Sequence, residues 1–151
     1  MSLNEEVELL QNIPLFSKIA PSKLKLLAFT SDRLTFAPGQ ELFHQGDPGD
    51  AAYIIMDGEA DVTVDTPAGE ISVAKVRKND LIGEIAILCD VPRTATIKAL
   101  SEVTTLAITK ELFFQLVTEF PEMAVEIMRE LAHRLERTTQ QLREAMSDRA
   151  D

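Results

Sequence analysis

The chain has 151 residues, enough for one domain with a core of its own. Hydrophobic residues make up 45% and charged residues 26%, as in a soluble globular protein rather than a disordered or fibrous one. Asp and Glu number 25 against 15 Lys and Arg, a net charge of −10 that argues against direct nucleic-acid binding.

Leu3 to Gln11 reads as a helix, with Leu3, Val7 and Leu10 on one face. Pro14 stops it, and Leu15 and Phe16 follow as apolar anchors. Pro21 opens a second short helix whose buried face is Leu24, Leu27 and Ala28. From Asp32 to Ile108 the period becomes that of strands. Leu34 and Phe36 alternate with polar neighbours before Pro38-Gly39, and Glu41 to His44 follows. Gln45 to Asp50 is a turn cluster. Ala52 to Met56 is a compact apolar strand ending at Asp57-Gly58, and Asp61 to Asp65 alternates cleanly. Thr66 to Gly69 turns the chain into Glu70 to Val76, and Arg93 to Leu100 and Val103 to Ile108 complete the set. Short strands at even spacing with Gly/Pro turns indicate a β-barrel or jelly roll.

The tail is helical again. Lys110 to Phe120 carries Leu112, Phe113, Leu116 and Val117 on one side, and Pro121 starts a long helix to about Met146. In it Met128, Leu131, Leu135, Thr138, Leu142 and Ala145 recur at alternating spacings of three and four. That seam predicts a homodimer through residues 121–146; the alternative is that the stripe packs on its own barrel. Cys89, beside Ile87 and Leu88, reads as a semi-buried structural thiol with no partner for an internal disulfide. His44 and His133 lack metal-ligand spacing, which weighs against a cupin-type metal enzyme and predicts no metal and no cofactor. There is no phosphate-binding glycine-rich loop and no nucleophile elbow, so no catalytic residue is expected. The start lacks the basic and apolar regions of a signal peptide, and no apolar run approaches membrane-spanning length; a cytoplasmic location without membrane contact is expected.

The most informative stretch runs from Gly83 to Thr96. Glu84 follows a glycine at the start of an apolar run, and Arg93 comes nine residues later, just after Pro92. A cyclic nucleotide offers a sugar hydroxyl and an anionic phosphate ester side by side. A carboxylate accepts from the first, and a guanidinium forks onto the second. Gly83 lets the backbone come close, and a short helix opening there aims free N–H groups at the anion.

Gly83-Glu84-Ile85-Ala86-Ile87 followed by Pro92-Arg93-Thr94-Ala95-Thr96 resembles the phosphate-binding cassette of the cyclic nucleotide-binding domain family. The resemblance extends from about Leu15 to Leu142 and implies a mainly β double-stranded β-helix, or jelly roll, with flanking helices. It divides the chain into a helical lead-in (1–30), a β-roll (31–109) with its cassette at 82–97, and C-terminal lid and dimerisation helices (110–151). It implies that Glu84 holds the ribose hydroxyl. Arg93 would hold the phosphate with backbone N–H groups of Ile85, Ala86 and Ala95 and the hydroxyl of Thr94. Val73 and Leu81 would lie under sugar and base. Leu131 to Thr139 is similar to the dimer helix of the catabolite activator branch of the family, where a hydroxyl pair reads adenine from both subunits. Thr138 and Thr139 occupy those positions, and Arg134 a neighbouring basic one. That branch continues into a helix-turn-helix where this chain reads Ser147 to Asp151, as expected of a freestanding sensor or of a piece of a larger protein.

The expected function is a regulatory sensor without catalysis, its long helix repositioned by cyclic AMP or cyclic GMP. Thr94 resembles a threonine that faces guanine in some members, whereas Thr138 and Thr139 resemble the adenine-reading pair; two hydroxyls in a drier site favour cyclic AMP. The rival is a module of the same fold with another effector or with none.

Overall fold

The computed structural model describes the backbone of residues 2–150 and the side chains of residues 2–147. Helix α1 (Leu3–Gln11) starts at Ser2, whose hydroxyl accepts from the Glu5 N–H at 3.2 Å, with Glu5 and Glu6 in the favourable first turn. A 3-10 turn at Pro14–Phe16 redirects the chain into α2 (Pro21–Thr30), which opens on proline where no N–H is needed.

Eight strands follow: β1 (Asp32–Phe36), β2 (Glu41–Phe43), β3 (Ala51–Asp57), β4 (Glu59–Thr66), β5 (Gly69–Arg77), β6 (Leu81–Ile82), β7 (Thr96–Ala99) and β8 (Val103–Thr109). They form two antiparallel four-stranded sheets, ordered β1-β8-β3-β6 and β2-β7-β4-β5. This is a jelly roll, one of the two architectures that the turn spacing allows and the one that the family resemblance implies. The β3–β4 turn depends on Gly58. Its φ is 95°, and a Cβ there would sit 2.3 Å from the Glu102 carbonyl oxygen.

Between β6 and β7 lies the short helix α3 (Glu84–Cys89). After the roll come α4 (Lys110–Glu119), capped by the Thr109 hydroxyl on the Leu112 N–H at 3.2 Å, and α5 (Pro121–Ala150).

Two cores result. Phe36, Ile55, Ala60, Ile82, Ile97 and Val103 fill the roll. Leu10, Phe16, Leu24, Ile54, Leu106, Ile108, Phe113 and Met123 join the helices to the outer face of the first sheet. Burying each such side chain contributes about 1.5–3 kcal/mol, so the helices are anchored to the roll by a continuous apolar layer.

The expected elements differ from the observed ones in particular places. Residues 93–95 are not strand, because the Arg93 N–H donates to the Asp47 carbonyl at 2.8 Å and the Arg93 carbonyl accepts from Gly46 at 2.9 Å. The ladder begins only at Thr96. Strand β6 has two residues, too few for any period to show, and is defined by pairing with Tyr53 and Ile54. Cys89 is exposed rather than semi-buried, because it closes α3 on the solvent side. Helix α5 outruns Met146. Its first half packs on the helical core through Met123 and Ile127, and Leu131 leans on the same core instead of standing in an open seam. Met128, Leu135, Leu142 and Ala145 are exposed, Leu135 by 68% and Leu142 by 60%.

Candidate functional site

Gly83 ends β6 and caps α3 in a left-handed conformation, φ 84°, offering no side chain to the helix's first N–H groups. A Cβ there would lie 2.6 Å from Arg93 Nη1. The glycine therefore serves both the sharp turn and the guanidinium tucked under it. Gly49 is equally tight: a Cβ would sit 2.3 Å from that of Ala86, so the 48–50 turn lies directly on α3.

Arg93 is 4% exposed. Its Nη1 donates to the Gly83 carbonyl at 3.0 Å and its Nη2 to the Ala51 carbonyl at 2.7 Å. Its Nε–H is buried and has no acceptor among the described residues. Burial lowers the guanidinium's pKa from its ordinary value, against the fields of Tyr53, Asp50, Asp47 and Glu84. The backbone of Arg93 is pinned by the His44–Asp47 turn, which an Asp47 carboxylate bond to the His44 N–H closes at 3.1 Å.

Glu84, first residue of α3, is 3% exposed. Its Oε1 accepts from Arg134 Nη1 of α5 at 2.7 Å, and Arg134 Nη2 donates to the Leu81 carbonyl at 3.0 Å. Glu130, one turn earlier on α5, stands 4.0 Å from Arg134. Its pKa is raised by burial, with Arg134 opposing and Glu84 and Asp80 reinforcing the rise.

These groups line one cavity of about 900 Å³ between β5, α3 and α5. Gly83, Glu84, Ile85, Ala86, Arg93, Thr94, Ala95, Val73, Arg134 and Thr138 all face it. Leu81 does not, because its side chain sits in the helical core while its carbonyl holds Arg134. Thr139 is exposed and off the cavity of its own chain. The wall carries Lys75, Arg77, Arg93, Arg134 and Arg137 against Asp80, Glu84 and Glu130. A cationic wall in a chain of charge −10 suits a small anion.

Sequence reasoning missed Phe43, Tyr53, Arg137 and Gln141. Phe43, Arg137 and Gln141 line the cavity, while Phe43 and Tyr53 pack about the guanidinium. Both aromatics lie well before the cassette, on β2 and β3, and no spacing ties them to it.

Residues 33–120 match the model of the cyclic nucleotide-binding domain. The chain belongs to the cyclic nucleotide-binding domain family. It is 33% identical over 108 residues to a cAMP-dependent protein kinase regulatory subunit of Hypocrea atroviridis, covering 72% of this chain and 22% of that protein. It is 28% identical over 136 residues to a CRP-like cAMP-activated global transcriptional regulator of Mycobacterium tuberculosis, covering 89% of this chain and 61% of that one. Among solved structures it resembles the N-terminal domain of a transcriptional regulator from Streptomyces coelicolor A3(2). There the identity is 36% and the TM-score 0.66, over 86% of this chain and 94% of the other. The chain thus spans only part of the curated relatives it matches, and what they share with it is a regulatory cyclic nucleotide-binding domain. Among the described residues no helix is long and apolar enough to cross a membrane, and no three His, Cys, Asp or Glu side chains are grouped to hold a metal.

Proposed function

We propose that this chain binds a 3′,5′-cyclic nucleotide, cyclic AMP in preference to cyclic GMP, as a cytoplasmic regulatory sensor without catalysis. The observation that carries the reading is a buried guanidinium with an unpaired Nε–H on the same cavity wall as a buried carboxylate. Arg93 takes the cyclic phosphate with the N–H groups of Ile85, Ala86 and Ala95 and the Thr94 hydroxyl. Glu84 takes the ribose hydroxyl. An ionised carboxylate has about four acceptor positions, so Arg134 on Oε1 leaves room for that hydroxyl. Because Arg134 belongs to α5, occupancy of Glu84 alters what holds α5 to the roll, and the long helix acts as the moving element.

Helix α5 also serves a homodimer. Met128, Leu135 and Leu142 stand exactly seven residues apart and largely exposed. With them at position a of a heptad, Thr138 falls at d, Arg134 at g and Thr139 at e. In a parallel pair, g of one helix faces e of the other. Thr139 of a second copy then stands beside Arg134, at the mouth of a cavity its own chain does not offer it. Two hydroxyls at the base edge favour adenine over the single contribution of Thr94, worth about 0.5–1.5 kcal/mol. The chain makes no direct contact with nucleic acid or membrane in this reading.

Calorimetric titration with cyclic AMP, cyclic GMP and 2′-deoxy cyclic AMP tests it. Cyclic AMP binds tightest, and the deoxy analogue binds worse in the native chain but not in Glu84→Ala, because hydroxyl and carboxylate form a coupled pair. No heat with either nucleotide refutes the function, and a preference for cyclic GMP refutes the base assignment.

A further inference from the structure

Arg93 is a buried cation with no carboxylate within ion-pair distance among the described residues. Two backbone carbonyls hold its Nη1 and Nη2. Against its face stands the ring of Phe43, 4.2 Å from the guanidinium carbon to the centroid, with Tyr53 at 5.8 Å. The two rings pack on each other at 5.9 Å, tilted by 31°, so each fixes the other's plane. They come from β2 and β3, strands of the two different sheets.

We propose that Phe43, braced by Tyr53, is a positioning residue for Arg93, its ring face taking the place of a counter-charge. The proposal rests on the reading of the cavity as an anion site. A carboxylate would stabilise the buried cation equally well, but it would consume in-plane N–H donors and cancel the charge an anion is drawn to. An aromatic face attracts the cation through its quadrupole from above the plane. All five guanidinium N–H groups lie in that plane, so the ring itself consumes none of them. The arrangement keeps the charge, holds the plane and leaves the buried Nε–H unpaired. Phe43 itself lines the cavity, so the ring also walls off water from the guanidinium's face.

The test separates ring charge from ring shape. Phe43 is replaced in the full chain by mono-, di- and trifluorophenylalanine, which drain the ring face stepwise at nearly constant shape. Cyclic AMP and cyclic GMP are titrated against each. Affinity falls with every fluorine, by roughly three- to thirtyfold over the series. Phe43→Tyr stays near the native value and Phe43→Leu loses at least as much as the trifluoro ring. In parallel, the NMR signal of the Arg93 Nε–H is followed without nucleotide. It loses its ring-current shift and exchanges faster with water in Phe43→Leu, and its exchange quickens along the fluorine series. Flat affinities along the series overturn the proposal and leave Phe43 a packing residue. If the native chain binds neither nucleotide, the functional reading fails by itself, and the Arg93 signal decides the platform: graded exchange upholds it, unmoved exchange overturns it.

Discussion

Arg93 and Glu84 line one cavity and are almost equally buried, yet they are held by different parts of the molecule. Every partner of Arg93 belongs to the roll or to the turn that opens α3: the Ala51 and Gly83 carbonyls, the Phe43 ring and the 44–47 turn on its backbone. Glu84 is held by Arg134, which comes from α5. The cationic half of the site is therefore assembled once the sheets close. The anionic half is complete only when a helix with a largely exposed second half lies in place. In the proposed reading the end held by the roll supplies affinity and the end held by α5 reports occupancy.

Removing the fixed end gives the largest effect. Arg93→Leu costs about 2–5 kcal/mol of binding, a loss of roughly 30-fold or more, because a buried charge-assisted contact is deleted. Calorimetry on a variant with native circular dichroism measures it, and near-native affinity would place the anion elsewhere. At the other end, Leu135→Glu sets like charges into the α5 seam, at a cost of several kcal/mol if they stay unpaired. Light scattering then reports a monomer, while the solvent-exposed side chain leaves the fold of the single chain intact. A native chain that is already monomeric at high micromolar concentration shows that the exposed stripe of α5 does not pair with a second copy. Arg134→Ala strips a buried carboxylate of its partner and destabilises the chain by about 1–3 kcal/mol, toward the low end because Arg134 is itself 32% exposed. Hydrogen exchange accelerates in α5 and not in β2, β3 or β7; uniform acceleration would mean the two halves are one unit.

The smallest effect concerns the turn behind Arg93. The His44 Nδ1 lies 2.7 Å from Glu41 Oε2, and that hydrogen bond, then the charges of Glu41, Asp47 and Asp65, raise the imidazole pKa above 6.5. A raised pKa means the folded state holds the proton more tightly. The added stability is complete below about pH 6.5 and is lost as pH rises through the folded-state pKa. NMR titration finds the midpoint above 6.5 in the native chain and closer to it in Glu41→Gln. An unchanged midpoint would remove Glu41 as the cause.

Much of the fold is legible in the residues because it depends on local rules. Prolines 21 and 121 open helices α2 and α5, Gly58 turns β3 into β4, and the alternation of Asp61 to Asp65 marks β4. Glu84, Arg93 and Gly83 are legible for the same reason, since one short segment carries them at a defined spacing. Other features are not local. The Phe43 ring reaches Arg93 across 50 positions, and the pairing that defines β6 joins residues nearly 30 apart. The repeat in α5 looks the same whether a side chain meets its own core or a second helix, and Leu131 and Leu135 differ only in what faces them.

The amino-acid sequence by itself determined the class of fold, the turns and the cassette with its carboxylate and its guanidinium, because period, proline, glycine and short-range spacing act within a few residues. Tertiary structure decided which partner stabilises each charge: carbonyls and an aromatic face for Arg93, a guanidinium from α5 for Glu84. Those choices depend on which distant strands and helices come within 2.7–4.2 Å once the cores close, and at that range burial makes each contact strong enough to matter.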